Sequence, residues 1–364
     1  MGRYQPLKIG DLYVKNPVVQ GGMGIGISLS SLAGSVAKEG GLGLISTAQI
    51  GFREPDFDKH PKEANLRAME SELEKARKIA PEGVIGFNIM VATKDYGDYV
   101  KKAVEIGADV IVSGAGLPVN LPEYTAGSRV KIAAIVSSPK SASVICKMWD
   151  RKYQRVPDFV VIEGPLAGGH LGFSKEELTS FKADRANTDQ VYDRDAYDKE
   201  ILGILAVIEK FQNQYGCRIP VISAGGIFSK EDMAHHMDLG VDGVQVGTRF
   251  VTTKECDAPI SYKDAYIRAK KEDIIIVKSP VGMPGRAIRN AFLDKIKKDP
   301  EKITHCFRCL EHCDPATAPY CITMALIRAA LGQTDNGLLF CGYNAFRCNQ
   351  IETVADVIAD LCGS

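Results

Sequence analysis

Residues 219–226, Ile219-Pro220-Val221-Ile222-Ser223-Ala224-Gly225-Gly226, and residues 242–248, Asp242-Gly243-Val244-Gln245-Val246-Gly247-Thr248, decide the fold. Each is a short apolar run that stops on glycine. Six more runs of the same kind precede them: PVVQ (17–20), LGLIS (42–46), VIGFNIM (84–90), DVIVSGA (109–115), KIAAIVS (131–137) and DFVVIEG (158–164). Most show little polar alternation, as expected of strands covered on both faces. The stretches between them, 28–40, 63–80, 96–107, 138–150, 199–216 and 230–240, space their apolar residues by three and four. Several stop at glycine, a helix C-terminal signal. Eight strands alternating with helices over about 250 residues is the arithmetic of a TIM (β/α)8 barrel. The competing reading is an open doubly wound sheet. The barrel is favoured because glycines and polar residues end many different strands rather than meeting at one switch point.

Outward from this core, the reading gives a barrel over 1–253, a helical Cys-rich appendage over 254–349 and a C-terminal helix over 350–364 packing on the barrel. The polar stretch 172–199 is expected to form a long loop or lid over the strand ends. The chain has 364 residues, 45% hydrophobic and 25% charged, which is ordinary for a globular protein. Lys plus Arg equals Asp plus Glu at 45 each, so the formal net charge is zero. That balance lacks the basic field that nucleic acid or an anionic membrane surface would attract. No apolar run approaches the roughly 20 residues that span a bilayer. The N-terminal stretch has no signal-peptide core. A cytoplasmic protein acting on a small molecule is expected, with a homodimer as the assumed assembly.

Four places carry residues suited to chemistry. The first strand runs into Gln20-Gly21-Gly22-Met23-Gly24, where missing side chains let a flat ligand approach the backbone. Asn88 interrupts the apolar third run and needs a partner if buried. The sixth run continues as Glu163-Gly164-Pro165-Leu166-Ala167-Gly168-Gly169-His170. It places an imidazole, suited to proton transfer near neutral pH, on a glycine-rich loop. Gly225, Gly226, Gly247 and Thr248 end the last two runs, and on a barrel these loops build the common phosphate site. Each glycine pair also has a bland reading as an ordinary strand–turn junction. His235-His236 reads as a surface or helix-end pair. Ser279 to Arg286 reads as either an inter-helix loop or a wall of the pocket, with Arg286 a candidate for an anionic group of the substrate.

In this order, QGGMG, GGLGLIS, GFNIM, EGPLAGGHLG, PVISAGGI and GVDGVQVGTRFVTTKEC resemble the nitronate monooxygenase (2-nitropropane dioxygenase) family, with its related flavin-dependent enoyl-ACP reductases. The resemblance covers about 20–256. It implies a barrel holding FMN, with the phosphate at Gly225, Gly226, Gly247 and Thr248, and Gly22, Met23 and Asn88 against the flavin or its ribityl chain. Glu163, Gly168, Gly169, Ala224 and Gln245 complete the expected cofactor-binding set. His170 is expected beside the reactive face of the flavin as the catalytic residue. The implied activity is oxidation of alkyl nitronates with oxygen. The alternative is NAD(P)H-dependent reduction of an activated double bond such as an enoyl thioester.

The long polar stretch after His170 and the Cys-rich tail depart from that pattern. Six of the ten cysteines lie between Cys306 and Cys348. Without a secretion signal a disulfide framework is not expected. Cys306, Cys309, Cys313 and Cys321 have a spacing able to wrap a [4Fe-4S] cluster. His305 and His312 beside them leave zinc open, and plain apolar packing is the third reading.

Overall fold

The computed structural model describes residues 4–184, 192–280 and 282–363. All eight runs become strands: β1 (Val18–Gln20), β2 (Leu42–Ser46), β3 (Val84–Met90), β4 (Val110–Gly114), β5 (Lys131–Val136), β6 (Phe159–Glu163), β7 (Val221–Ala224) and β8 (Gly243–Val246). Each pairs in parallel with the next, and β8 returns to β1 through Val244–Val18 and Val246–Gln20. The barrel is closed, so the open-sheet reading falls.

Alternation along each strand divides two cores. Leu42, Leu44, Val110, Val112, Phe159, Val161 and Ile222 point inward and fill the barrel. Ile45, Ile85, Phe87, Ile111, Ile132, Val160 and Ile162 join the outer core under the helices. β2 and β4 are buried at every residue, which is why their sequences show no polar face. Helices Ser30–Lys38, Pro61–Ile79, Tyr96–Glu105, Pro139–Tyr153, Arg194–Tyr215 and Lys230–Asp238 stand where the spacing placed them. A hairpin of Leu7–Ile9 with Leu12–Val14 plugs the N-terminal end, adding Leu7, Ile9 and Val14 to the inner core.

The polar stretch 172–199 carries a short helix, Lys175–Ser180, and the start of Arg194–Tyr215. Part of it, 185–191, lies outside the described residues, as do Val281 of the 279–286 run and the first three residues. The appendage supplies helices Ile260–Arg268, Ala291–Lys298 and Ile322–Ala330. Between the first two lies an antiparallel pair, Ile274–Lys278 with Pro284–Ile288, which the sequence reading did not draw. Gly169–His170 pairs with the second of these strands, Gly285 opposite His170 and Arg286 opposite Gly169. The final helix, Val354–Cys362, packs on Ser30–Lys38 and Lys230–Asp238.

Asp257, just beyond β8, ties the two ends of the barrel sequence together. Its carboxylate accepts from the amides of Leu29 (2.9 Å), Ser31 (3.2 Å) and Leu32 (3.1 Å) at the start of the helix after β1. Burial pushes its pKa up to about 6 against the pull of those amides. Asp257→Ala leaves three donors without their acceptor. A loss of about 2 kcal/mol is expected in urea unfolding, with Asp257→Asn losing less because one acceptor survives.

Candidate active site

The C-terminal ends of the strands open into one cavity of about 290 Å³. Gly22, Met23, Asn88, Glu163, Gly168, Gly169, His170, Ala224, Gly225, Gly226, Gln245, Gly247 and Thr248 all line it. Several of these glycines are explained by close approach or by a positive φ. Gly225 and Gly226 both take φ +93°, and a Cβ on Gly225 would meet the Gly164 carbonyl oxygen at 2.8 Å. A Cβ on Gly22 would collide with the Asn88 side chain. Gln245 Oε1 is buried without a hydrogen-bond partner among the described residues. An orphaned acceptor on the cavity wall fits a bound group that carries an N–H or O–H.

His170 lines the same cavity. Its Nε2 is 2.8 Å from Ser279 Oγ, and its ring meets Phe340 edge-on at 5.1 Å. Burial pushes its pKa down to about 4, so the imidazole is neutral at pH 7. Glu163, at the end of β6, accepts from the Gly172 amide at 3.2 Å. Burial raises its pKa to about 7, against the Gly172 hydrogen bond and the charge of Arg286. Among the described residues no Lys or Arg lines the cavity.

Arg286 does not face a substrate, contrary to expectation. It is 1% exposed and spends its guanidinium on the carbonyls of Pro165 (3.1 Å), Ala167 and Ala183 (2.6 Å). Its cation also lies over the Tyr343 ring at 5.5 Å. A strand that pairs with the His170 loop has to turn alternate side chains inward, and Arg286 is one of them. The pair His235-His236 is more engaged than a surface reading implies. His236 Nδ1 lies 2.9 Å from Ser223 Oγ, and His235 Nε2 lies 2.9 Å from the Asp198 carboxylate. Both belong to the scaffold behind β7.

Sequence reasoning missed the segment Phe340-Cys341-Gly342-Tyr343-Asn344, which lines the cavity. The Gly342 amide donates to Thr248 Oγ1 (3.2 Å), the Tyr343 amide to the Leu166 carbonyl (3.1 Å) and Asn344 Nδ2 to the Gly226 carbonyl (2.6 Å). Tyr262 and Tyr266 back this segment. The only sequence signal was Gly342 itself, standing between bulkier residues. Around the four clustered cysteines, no group of three or more His, Cys, Asp or Glu stands in a metal-holding arrangement among the described residues.

The model of the nitronate monooxygenase family matches residues 5–364. The chain belongs to that family. It is a flavin-dependent oxidoreductase of that kind. A probable nitronate monooxygenase of Staphylococcus saprophyticus subsp. saprophyticus is 26% identical over 315 residues, 81% of each chain. A 5-hydroxy-7a-methyl-1-oxo-octahydro-1H-indene-4-carboxyl-CoA dehydrogenase of Mycobacterium tuberculosis is 26% identical over 285 residues, 78% of this chain and 66% of that one. Among solved structures, FabK from Thermotoga maritima superposes with a TM-score of 0.71 at 23% identity, over 96% of this chain and 92% of that one. At that identity the match supports the barrel alone.

Replacing Arg286 by Met should expose how far the family site depends on this buried cation. Three carbonyls lose their donor, and a destabilisation of about 3 kcal/mol is expected in chemical denaturation. Arg286→Lys keeps the charge without the fork, so it should recover only part of that loss.

Proposed function

We propose that this chain is an FMN-dependent enzyme that oxidises alkyl nitronates or their parent nitroalkanes with oxygen. The observation that carries the reading is His170, a neutral imidazole on the wall of a cavity that is also lined by the strand-end glycines. Gly225, Gly226, Gly247 and Thr248 would hold the phosphate, where backbone can reach an anion that bulkier residues would keep away. Gly22, Met23 and Asn88 would hold the ring and ribityl chain, and Gln245 Oε1 would accept a hydrogen bond from the cofactor. FMN, when bound, supplies the electron-accepting chemistry.

The protein's own part is proton transfer and exclusion of water. A base that is already neutral needs no prior deprotonation to take the α-proton of a nitroalkane. Ser279 and Phe340 hold the ring of His170 in place for that transfer. With no Lys or Arg on the cavity wall among the described residues, an anionic nitronate is met by backbone amides and the imidazole rather than by a formal charge.

The same lack of a cation favours one second reading. A neutral activated double bond, such as an enoyl thioester, suits an apolar wall, and His170 would hydrogen-bond its carbonyl or supply a proton. NAD(P)H would then be the reductant. Rapid-mixing spectra without oxygen separate the two. Bleaching of the bound flavin by a nitronate and not by NADPH or NADH supports the oxidase reading, and the reverse result replaces it.

His170→Asn should keep flavin absorbance while kcat/KM for a neutral nitroalkane falls by about 10²–10⁴-fold. The acid limb of kcat/KM should lie near pH 4, because the imidazole stays neutral above its lowered pKa of about 4. An ordinary histidine would place that limb near 6.5. The same shift makes folding less favourable as pH drops from about 6.5 to 4, since there the unfolded chain binds a proton that the folded chain refuses.

A further inference from the structure

Helix Ile322–Ala330 of the appendage packs in two directions. Ile322 and Ala325 join Phe292, Tyr320 and Leu338 in one apolar cluster. Ile327 and Ala330 join Ile25, Phe57 and Phe307 in another. Leu326 packs at the edge of both clusters, is itself only half-buried, and lines the cavity. Its neighbours Ala325 and Ile327 are buried, so they seat the helix while Leu326 meets the cavity.

The turn Gly24–Ile27 after β1 comes to this helix from the barrel. Gly26, at φ +73°, lies so close that a Cβ would meet Phe52 at 2.9 Å and Ala330 at 3.1 Å. That contact sets Ile25, which also lines the cavity, in the same cluster as Ile327 and Leu326. After the helix the chain returns along it. The Leu338 amide donates to the Ala325 carbonyl at 2.9 Å, and Phe340 bridges Ala287 of the strand Pro284–Ile288. Phe340 packs on the same cluster as Leu326 and meets His170 edge-on. Shared packing thus links His170 through Phe340 and Leu326 to Ile25, and all four line the cavity.

We propose that this stretch of wall receives a straight hydrocarbon chain of the substrate and that Leu326 sets the chain length accepted. The proposal rests on the activity proposed above, which places the reacting carbon at His170. A nitroalkane carries one polar group, and the rest of it is alkyl chain. The side chains of Phe340, Leu326 and Ile25 offer that chain no polar atom, and each methylene withdrawn from water favours binding. Leu326 is the specificity residue because the other two have further duties. Phe340 meets the His170 ring, and Ile25 belongs to the turn that Gly26 seats on the helix.

The test uses the flavin-loaded protein and two straight-chain series. The 1-nitroalkanes from nitroethane to 1-nitrodecane are substrates. The carboxylates from acetate to decanoate, which copy the shape and charge of a nitronate without its reactivity, are ligands for calorimetry. In the unaltered protein each added methylene should raise kcat/KM and affinity by about fourfold until the wall is filled. Leu326→Ala should move that stop to longer chains and Leu326→Phe to shorter ones. A merely structural loss would weaken all lengths alike, and Leu326→Met, of similar volume, should keep the original stop. The two main variants act in opposite directions, so either one reads the effect if the other fails to fold. A stop that stays at the same length in the folded variants, or no chain-length dependence in either series, would overturn the proposal. Carboxylate binding that follows Leu326 without any nitroalkane turnover removes the proposed activity and leaves this wall. Turnover with a stop that ignores Leu326 does the reverse.

Discussion

The architecture of the active face depends on a guanidinium kept from water. Arg286 sits in a strand of the appendage, yet its donors go to carbonyls of the loop that follows β6 and to Ala183 in the polar stretch beyond. Burying an arginine is costly, and burial holds its pKa down at about 10. The cost is offset only while several carbonyls and the Tyr343 ring surround the cation together. That requirement fixes the loop, and through strand pairing it fixes the backbone of His170. A position that would wander on a free glycine-rich loop is thus set by a residue more than a hundred positions away.

Two ends of the cavity are governed by different stretches of the tail. The imidazole end depends on the strand pair 274–288, which brings Ser279 beside the ring. The glycine end depends on 341–344, whose Gly342, Tyr343 and Asn344 bind the loops after β8, β6 and β7 in turn. The barrel alone supplies open strand ends. The tail walls them into a cavity, where burial can keep His170 neutral and raise Glu163.

The barrel was legible because its strands are buried on both faces, so composition alone marked them. Gly225 and Gly226 were legible for a related reason, since their positive φ and close neighbours disfavour any other residue. Arg286 was not, because a lone arginine after Pro-Gly has the same sequence whether it reaches solvent or carbonyls. The segment 340–344 showed no period of two or of 3.6, and its contacts are to backbone, which sequence does not mark. The N-terminal hairpin did carry a signal, Ile9-Gly10-Asp11-Leu12, with Gly10 at φ +60°. Its strands are three residues each, too short for alternation to stand out.

Electrostatics then decide what the chamber can do. With no lysine or arginine on its wall among the described residues, a substrate anion gains nothing from a fixed cation, and selectivity rests on shape and on the placement of a proton. His170 is tuned to hold no proton at neutral pH, and Glu163 is tuned to stand near the point of sharing one. Both shifts come chiefly from withdrawal from water rather than from opposite charges. Groups tuned in this way respond to whatever fills the chamber, because an occupant that excludes more water moves both further in the same directions.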